Sequence, residues 1–110
     1  MVSQLNAKER EKYLRSARRG ARFLDRKVPG WRKMIRLTRL EMTDPIYYVD
    51  EPGECGCVLA QLDAYIEDSE RGSYERMRNR LGLTKHPIID RAFDGDMPTS
   101  VMRQVIREGR

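Results

Sequence analysis

The sequence predicts a small all-α protein, a single domain of about five helical segments with a long, basic, amphipathic helix at its N-terminus. Three observations support this fold class. Apolar residues recur every three or four positions from Ala7 to Val28, residues typical of helix ends flank that stretch, and only residues 46–49 have the composition of a strand. Since so short a strand is not stable without a second strand, a sheet is not expected.

The first helix is predicted to begin after Asn6 and to end at Pro29-Gly30. The Asn6 side chain can accept hydrogen bonds from the free N–H groups of the first turn, and Pro29 disfavours helical geometry in the residue before it. Apolar residues share one face of this helix and arginines share the opposite face. The apolar face comprises Tyr13, Leu14, Ala17, Ala21, Leu24 and Val28, and the arginine face comprises Arg15, Arg18, Arg19, Arg22 and Arg26.

Two segments follow the first helix. Residues 31–42 are predicted to form a short helical turn and then an irregular stretch, and residues 57–67 are predicted to form a buried helix. We expect the first helix to pack across both segments. An acidic loop over residues 43–56 is expected to connect them.

Three shorter helices complete the predicted fold. They are expected to begin after Ser73, at Pro87, and at Pro98 or Thr99. Gly82 stands where a left-handed residue commonly ends a helix. Residues 1–5 and 107–110 are expected to be frayed, and the 110 residues form one domain.

Positive and negative residues are segregated along the chain. Residues 8–39 carry a net charge of +10, residues 40–70 carry −9 without any Lys or Arg, and residues 71–110 carry +4. Such segregation produces either a dipolar surface or a basic helix that the acidic middle segment neutralises on folding. It indicates what kind of partner the surface could attract, but not what the protein does.

The arginine face is the candidate binding surface. The candidate residues are Arg15, Arg18, Arg19, Arg22 and Arg26. They could contact the phosphates of a nucleic acid or dock on an acidic protein surface. The alternative is a solvated face whose charge the acidic middle segment partly meets. A membrane-surface role is less favoured, because Ala17 and Ala21 replace the bulky anchors of an interfacial helix.

Other chemistries have weak support. Cys55, Cys57 and the lone His86 could ligate a metal, but zinc-binding cysteines usually have two to four residues between them and no second pair exists, so no metal or cofactor is expected. A helix-turn-helix over residues 74–93 would present mainly apolar residues from its second helix. The sequence has one histidine and no phosphate loop or nucleophile motif, so we do not expect an enzyme.

The composition favours a cytoplasmic protein. No apolar run approaches the roughly 20 residues of a membrane span, and the N-terminus lacks the apolar stretch of a secretory signal. The two cysteines are too few and too close together for a disulfide framework, which fits a reducing compartment. Nothing in the sequence indicates an oligomeric state.

Three short motifs occur in order between residues 24 and 62. They are LDxxxPGW over residues 24–31, IxLxxLxM over residues 35–42 and CVLAQL over residues 57–62, with Tyr74 and then Leu81-Gly82-Leu83 after them. Together these motifs resemble a family of small, mostly uncharacterised actinobacteriophage proteins of the mycobacteriophage type. Here Ala60 stands where the third motif of that family usually has Gly. The resemblance implies a phage gene product that works inside a bacterial host, and it implies no mechanism.

We therefore expect a non-enzymatic phage accessory protein that binds a host or phage macromolecule through charged surfaces. A host or phage protein is the favoured partner. The alternative is a nucleic-acid-binding regulator that uses the same arginines, and salt-dependent binding to random duplexes or single strands would distinguish the two.

Overall fold

The structure is a computed structural model that describes residues 5–40, 42, 56–94 and 96–110. The described residues are all-α, as the sequence predicts, with six α-helices and three short 3-10 turns. The α-helices are α1 (Ala7–Lys27), α2 (Trp31–Met34), α3 (Val58–Ile66), α4 (Tyr74–Arg80), α5 (Pro87–Asp90) and α6 (Thr99–Glu108). The 3-10 turns are Leu37–Arg39, Leu83–Lys85 and Arg91–Phe93. The strand-like run at 46–49, and all of the predicted acidic loop except Gly56, lie outside the described residues.

α1 begins and ends where the sequence predicts. The Asn6 Oδ1 accepts a hydrogen bond from the Glu9 backbone N–H at 2.8 Å, which caps the first turn. At the other end, the Val28 N–H donates to the Leu24 carbonyl at 2.7 Å. Gly30 then turns the chain with a φ of +81°, which glycine adopts readily because it has no Cβ.

α1 is buried over a wider arc than the predicted apolar face. The predicted core positions Leu14, Ala17, Ala21 and Leu24 are buried. Gly20 and Phe23, which are not among the predicted apolar positions, are buried as well. A Cβ on Gly20 would lie 2.5 Å from the Ala92 Cβ, and the Phe23 ring centroid is 5.9 Å from that of His86. The second half of α1 therefore touches the chain between α4 and α6 closely.

The neighbours of α1 differ from the prediction. α1 packs mainly against α6, α5 and the 3-10 turn Arg91–Phe93, and less against residues 31–42 and α3. Glycine at position 20 permits this packing, because the Ala92 Cβ and the Phe93 ring occupy the space that a side chain at position 20 would fill. α2 instead packs on α3. There the Gln61 side chain accepts from the Arg36 N–H at 2.7 Å and donates to the Gly56 carbonyl at 2.9 Å.

Side-chain caps begin α3 and α4. The Cys57 Sγ accepts from the Ala60 N–H at 3.4 Å, and the Ser73 Oγ accepts from the Arg76 N–H at 3.1 Å. α4 ends at Arg80. Gly82 has the predicted left-handed conformation, with a φ of +68°.

The connection between α3 and α4 lies directly on the α3 backbone at Gly72. A Cβ on Gly72 would lie 1.6 Å from the Ala60 carbonyl oxygen and 2.8 Å from the Ala64 backbone nitrogen. Both atoms belong to a helix backbone, which cannot move aside as a side chain can. The observed packing of α3 and α4 therefore requires glycine at position 72.

α6 continues to Glu108, into the segment 107–110 for which the sequence predicts fraying. Beyond its end, the Arg110 guanidinium donates to the Arg32 and Ile35 carbonyl oxygens at 2.6 and 2.7 Å. These bonds hold the described C-terminus against the segment that follows α1.

The buried apolar side chains form one cluster to which all the longer helices contribute. Its largest fully buried member is Trp31, whose indole Nε1–H donates to Asp25 Oδ1 at 2.8 Å. The same cluster includes three residues of the second sequence motif, Ile35, Leu40 and Met42. No helix in the described part of the chain is long and apolar enough to cross a membrane.

Candidate functional site

Six basic residues lie in a line along the exposed face of α1. They are Lys8, Lys12, Arg15, Arg19, Arg22 and Arg26, and all six are exposed. Successive members are four or three residues apart, an average of one helical turn. The line therefore runs parallel to the helix axis for about 27 Å. We call these six residues the basic row.

The basic row differs from the predicted arginine face at three positions. Arg18 faces α6 instead, where its guanidinium donates to the two Glu108 carboxylate oxygens at 3.1 and 2.7 Å. This bond lowers the pKa of the Glu108 carboxyl. Lys8 and Lys12 are absent from the predicted face, although their spacing from Arg15 continues the pattern of the arginines.

No member of the basic row forms an ion pair with another described residue. Asp25 lies three residues after Arg22, a spacing at which helical side chains can pair. Its carboxylate instead accepts from Arg32, at 3.3 and 3.2 Å, and from Trp31. These donors hold the pKa of Asp25 below its ordinary value against the effect of partial burial. The one acidic residue within the arginine part of α1 is therefore already engaged.

The described part of the acidic segment pairs with α4 and not with α1. Asp63 accepts from Arg76, with the closest contact 2.6 Å between Oδ2 and Nη2, and Glu67 pairs with Arg80 at 2.5 Å. Asp63 is completely buried, whereas the other three described carboxylates of this segment are exposed. Among the described residues, no carboxylate of the acidic segment therefore forms an ion pair with the basic row.

The second half of the basic row borders a shallow groove with a volume of about 380 Å³. The groove is lined by Arg19, Arg22, Asp25, Arg26 and Ile89. Since Ile89 belongs to α5, the groove follows the line where α1 and α5 meet. Ile88, which precedes Ile89 in α5, is an exposed apolar side chain, accessible over 61% of its surface.

The other candidate sites are dispersed or engaged in packing. Cys57 is buried at the start of α3, and Cys55 lies outside the described residues. His86 lies beside Phe23, and the described residues contain no group of three or more His, Cys, Asp or Glu that could hold a metal ion. In the helix-turn-helix candidate, α5 is a single turn and its Asp90 pairs with Arg78 of α4 at 2.7 Å.

This geometry can bind a linear anion. The basic row offers six exposed positive charges along one line. Comparisons with protein-family models, curated proteins and solved structures found no match.

Proposed function

We propose that this protein is a non-enzymatic accessory protein that binds an anionic macromolecule along the basic row of α1. One observation carries the proposal. Six cationic side chains share an exposed line about 27 Å long, and none of them has an ion-pair partner among the described residues.

Like charges along the row repel each other, which a bound polyanion relieves. The row contains five consecutive pairs of like charges three or four residues apart, and each such pair costs about 0.2–0.5 kcal/mol on a helix surface. Glu9 and Glu11 offset part of this repulsion beside Lys8, Lys12 and Arg15, but Asp25, the acidic residue beside Arg22, is held by Arg32 and Trp31. A bound polyanion relieves the remaining repulsion and releases its own counterions.

The biological setting that we propose is based on the three motifs and not on the basic row. From the order of these motifs we propose that the protein is a phage gene product that acts in the cytoplasm of a bacterial host, on a host or phage macromolecule. The basic row is the surface through which that macromolecule is held.

Affinity capture from the lysate of an actinobacterial host tests the proposal. The row triple variant carries Arg15→Gln, Arg19→Gln and Arg22→Gln. The control triple variant carries Lys33→Gln, Arg36→Gln and Arg71→Gln. These three residues are exposed and lie outside α1, and their substitution removes the same amount of positive charge. Wild type and the control triple variant should retain the same partner, and the row triple variant should lose it. Equal retention by all three proteins would show that the basic row is a solvated surface.

A further inference from the structure

We infer that the partner of the basic row is duplex nucleic acid, held by its phosphate backbone without reading of the base sequence. This inference rests on the proposed function and names the class of its partner.

The direction of the row matches a continuous linear polyanion. A helix about 27 Å long lies along a length of duplex that carries roughly 16 phosphates on its two strands, because the duplex carries one charge per ~1.7 Å of its axis. The phosphates wind around the duplex, so the basic row contacts those that face it, and the field of the others also attracts its cations. An acidic protein surface would need carboxylates at six matching points.

The composition of the row favours nucleic acid over a protein partner. The centre of a protein interface is depleted of Lys and enriched in Arg and aromatic residues, and its binding energy comes mainly from buried Trp, Tyr and Arg side chains. The basic row has two lysines, no aromatic or apolar member, and four arginines that are all exposed. It therefore lacks the aromatic anchors of a protein interface.

The composition also favours a duplex over single strands. Proteins that bind single strands stack bases on exposed aromatic side chains. The aromatic residues of α1 do not serve this purpose, because Phe23 is 3% exposed and Tyr13 is partly buried against the core. The row also lacks Asn and Gln, which read adenine, and most protein–DNA hydrogen bonds go to phosphates and sugars, so phosphate contacts are expected to dominate. Arg and Lys can also read guanine, and the comparison of two duplexes of unrelated sequence tests for that contact.

The groove brings three arginines of the row to one place. Arg19, Arg22 and Arg26 border it, so a phosphate placed there can accept from more than one guanidinium. Asp25 also lines the groove, and its carboxylate already accepts from Arg32 and Trp31. We expect this half of the row to contribute more affinity than the half with Lys8 and Lys12.

Fluorescence anisotropy with a labelled duplex tests the inference across a range of salt concentration. With six phosphate contacts, wild-type affinity should fall about 10³-fold between about 50 and 200 mM salt. The row triple variant keeps three contacts, so its affinity should fall only about 40-fold over the same range. The control triple variant should keep the wild-type slope. Two duplexes of unrelated sequence should bind equally, and a single strand of the same length should bind more weakly.

Three results would overturn the inference. They are no duplex binding at low salt, tighter binding of the single strand, and an equal loss of slope in both triple variants. Capture of an acidic protein from nuclease-treated lysate, dependent on the basic row and on Ile88 but without duplex binding, would overturn the inference and leave the proposed function standing. Failure of both assays would remove the two together.

Discussion

The Arg76 guanidinium closes over a completely buried Asp63 carboxylate, with Nη2 2.6 Å and Nε 3.0 Å from the two carboxylate oxygens. The Ser73 backbone N–H donates to the same carboxylate at 2.8 Å. Asp63 therefore has a donor for each oxygen although it is removed from water, as a buried charge requires. The pair joins the acidic segment to the basic C-terminal part of the chain at the crossing of α3 and α4.

The first prediction concerns the dependence of stability on the charge of Asp63. The Arg76 donor lowers the pKa of this carboxyl, although burial alone would raise it. A group whose pKa is lower in the folded state stabilises the fold above its unfolded pKa, about 3.9, and loses that effect as pH falls through the folded value. We expect Asp63→Asn to lower the free energy of unfolding by about 2 kcal/mol at neutral pH.

The difference between wild type and Asp63→Asn should shrink as the pH falls from about 4 through the lowered pKa of folded Asp63, because the unfolded chain binds the proton first. Urea denaturation at neutral pH and at two acidic pH values measures it. Asp94→Asn is the control, since Asp94 is exposed and makes no side-chain ion pair with a described residue. A difference that stays constant with pH would show that the charge of Asp63 is not what stabilises the crossing.

The second prediction concerns Gly72. Gly72→Ala places a Cβ 1.6 Å from the Ala60 carbonyl oxygen, so α3 and the α3–α4 connection must separate. We expect a loss of about 3 kcal/mol or more, measured as the free energy of unfolding. Gly82→Ala is the matched control. Nothing lies within 4 Å of its Cβ position, so it should cost only the left-handed strain of about 1–2 kcal/mol. Equal losses in the two variants would mean that the α3–α4 contact is looser than described.

The third prediction concerns Arg103 of α6. Its Nε and Nη2 donate to the Leu37 and Leu40 carbonyl oxygens at 3.0 and 3.1 Å, which secures the 3-10 turn after α2. An ammonium group cannot reproduce the fork of a guanidinium, so Arg103→Lys should lower the free energy of unfolding by about 1 kcal/mol. Arg107→Lys changes an exposed residue of the same helix and should have no measurable effect. Equal stability of the two variants in chemical denaturation would contradict the role given to Arg103.

Local signals account for the parts of the fold that the sequence predicts correctly. The Asn6 cap, the chain reversal at Gly30 and the left-handed Gly82 each depend on a few neighbouring residues. The opposite faces of α1 follow from helical periodicity alone. These features need no knowledge of which helix packs against which.

The features that the sequence does not reveal depend on partners far along the chain. Phe23 looks like part of the solvated side of α1 until the segment at His86 covers it. Arg18 looks equivalent to Arg22 until Glu108, 90 residues later, pairs with it. Likewise, the sequence of the acidic segment does not distinguish Asp63 from the carboxylates that stay exposed. Only the tertiary packing selects the members of the basic row among the basic residues of α1.

The last prediction follows from this difference between Arg18 and the basic row. Binding to a polyanion such as heparin depends on cations that are free to contact it. Because Arg18 is held by Glu108, Glu108→Gln should release an additional cation beside the row and raise the salt concentration needed for elution. The double variant Arg18→Gln/Glu108→Gln removes one charge of each sign and should elute near wild type. Arg22→Gln removes a free cation and should elute at lower salt than either. Elution of Glu108→Gln at or below the wild-type position would show that Arg18 does not gain access to the polyanion when its partner is removed.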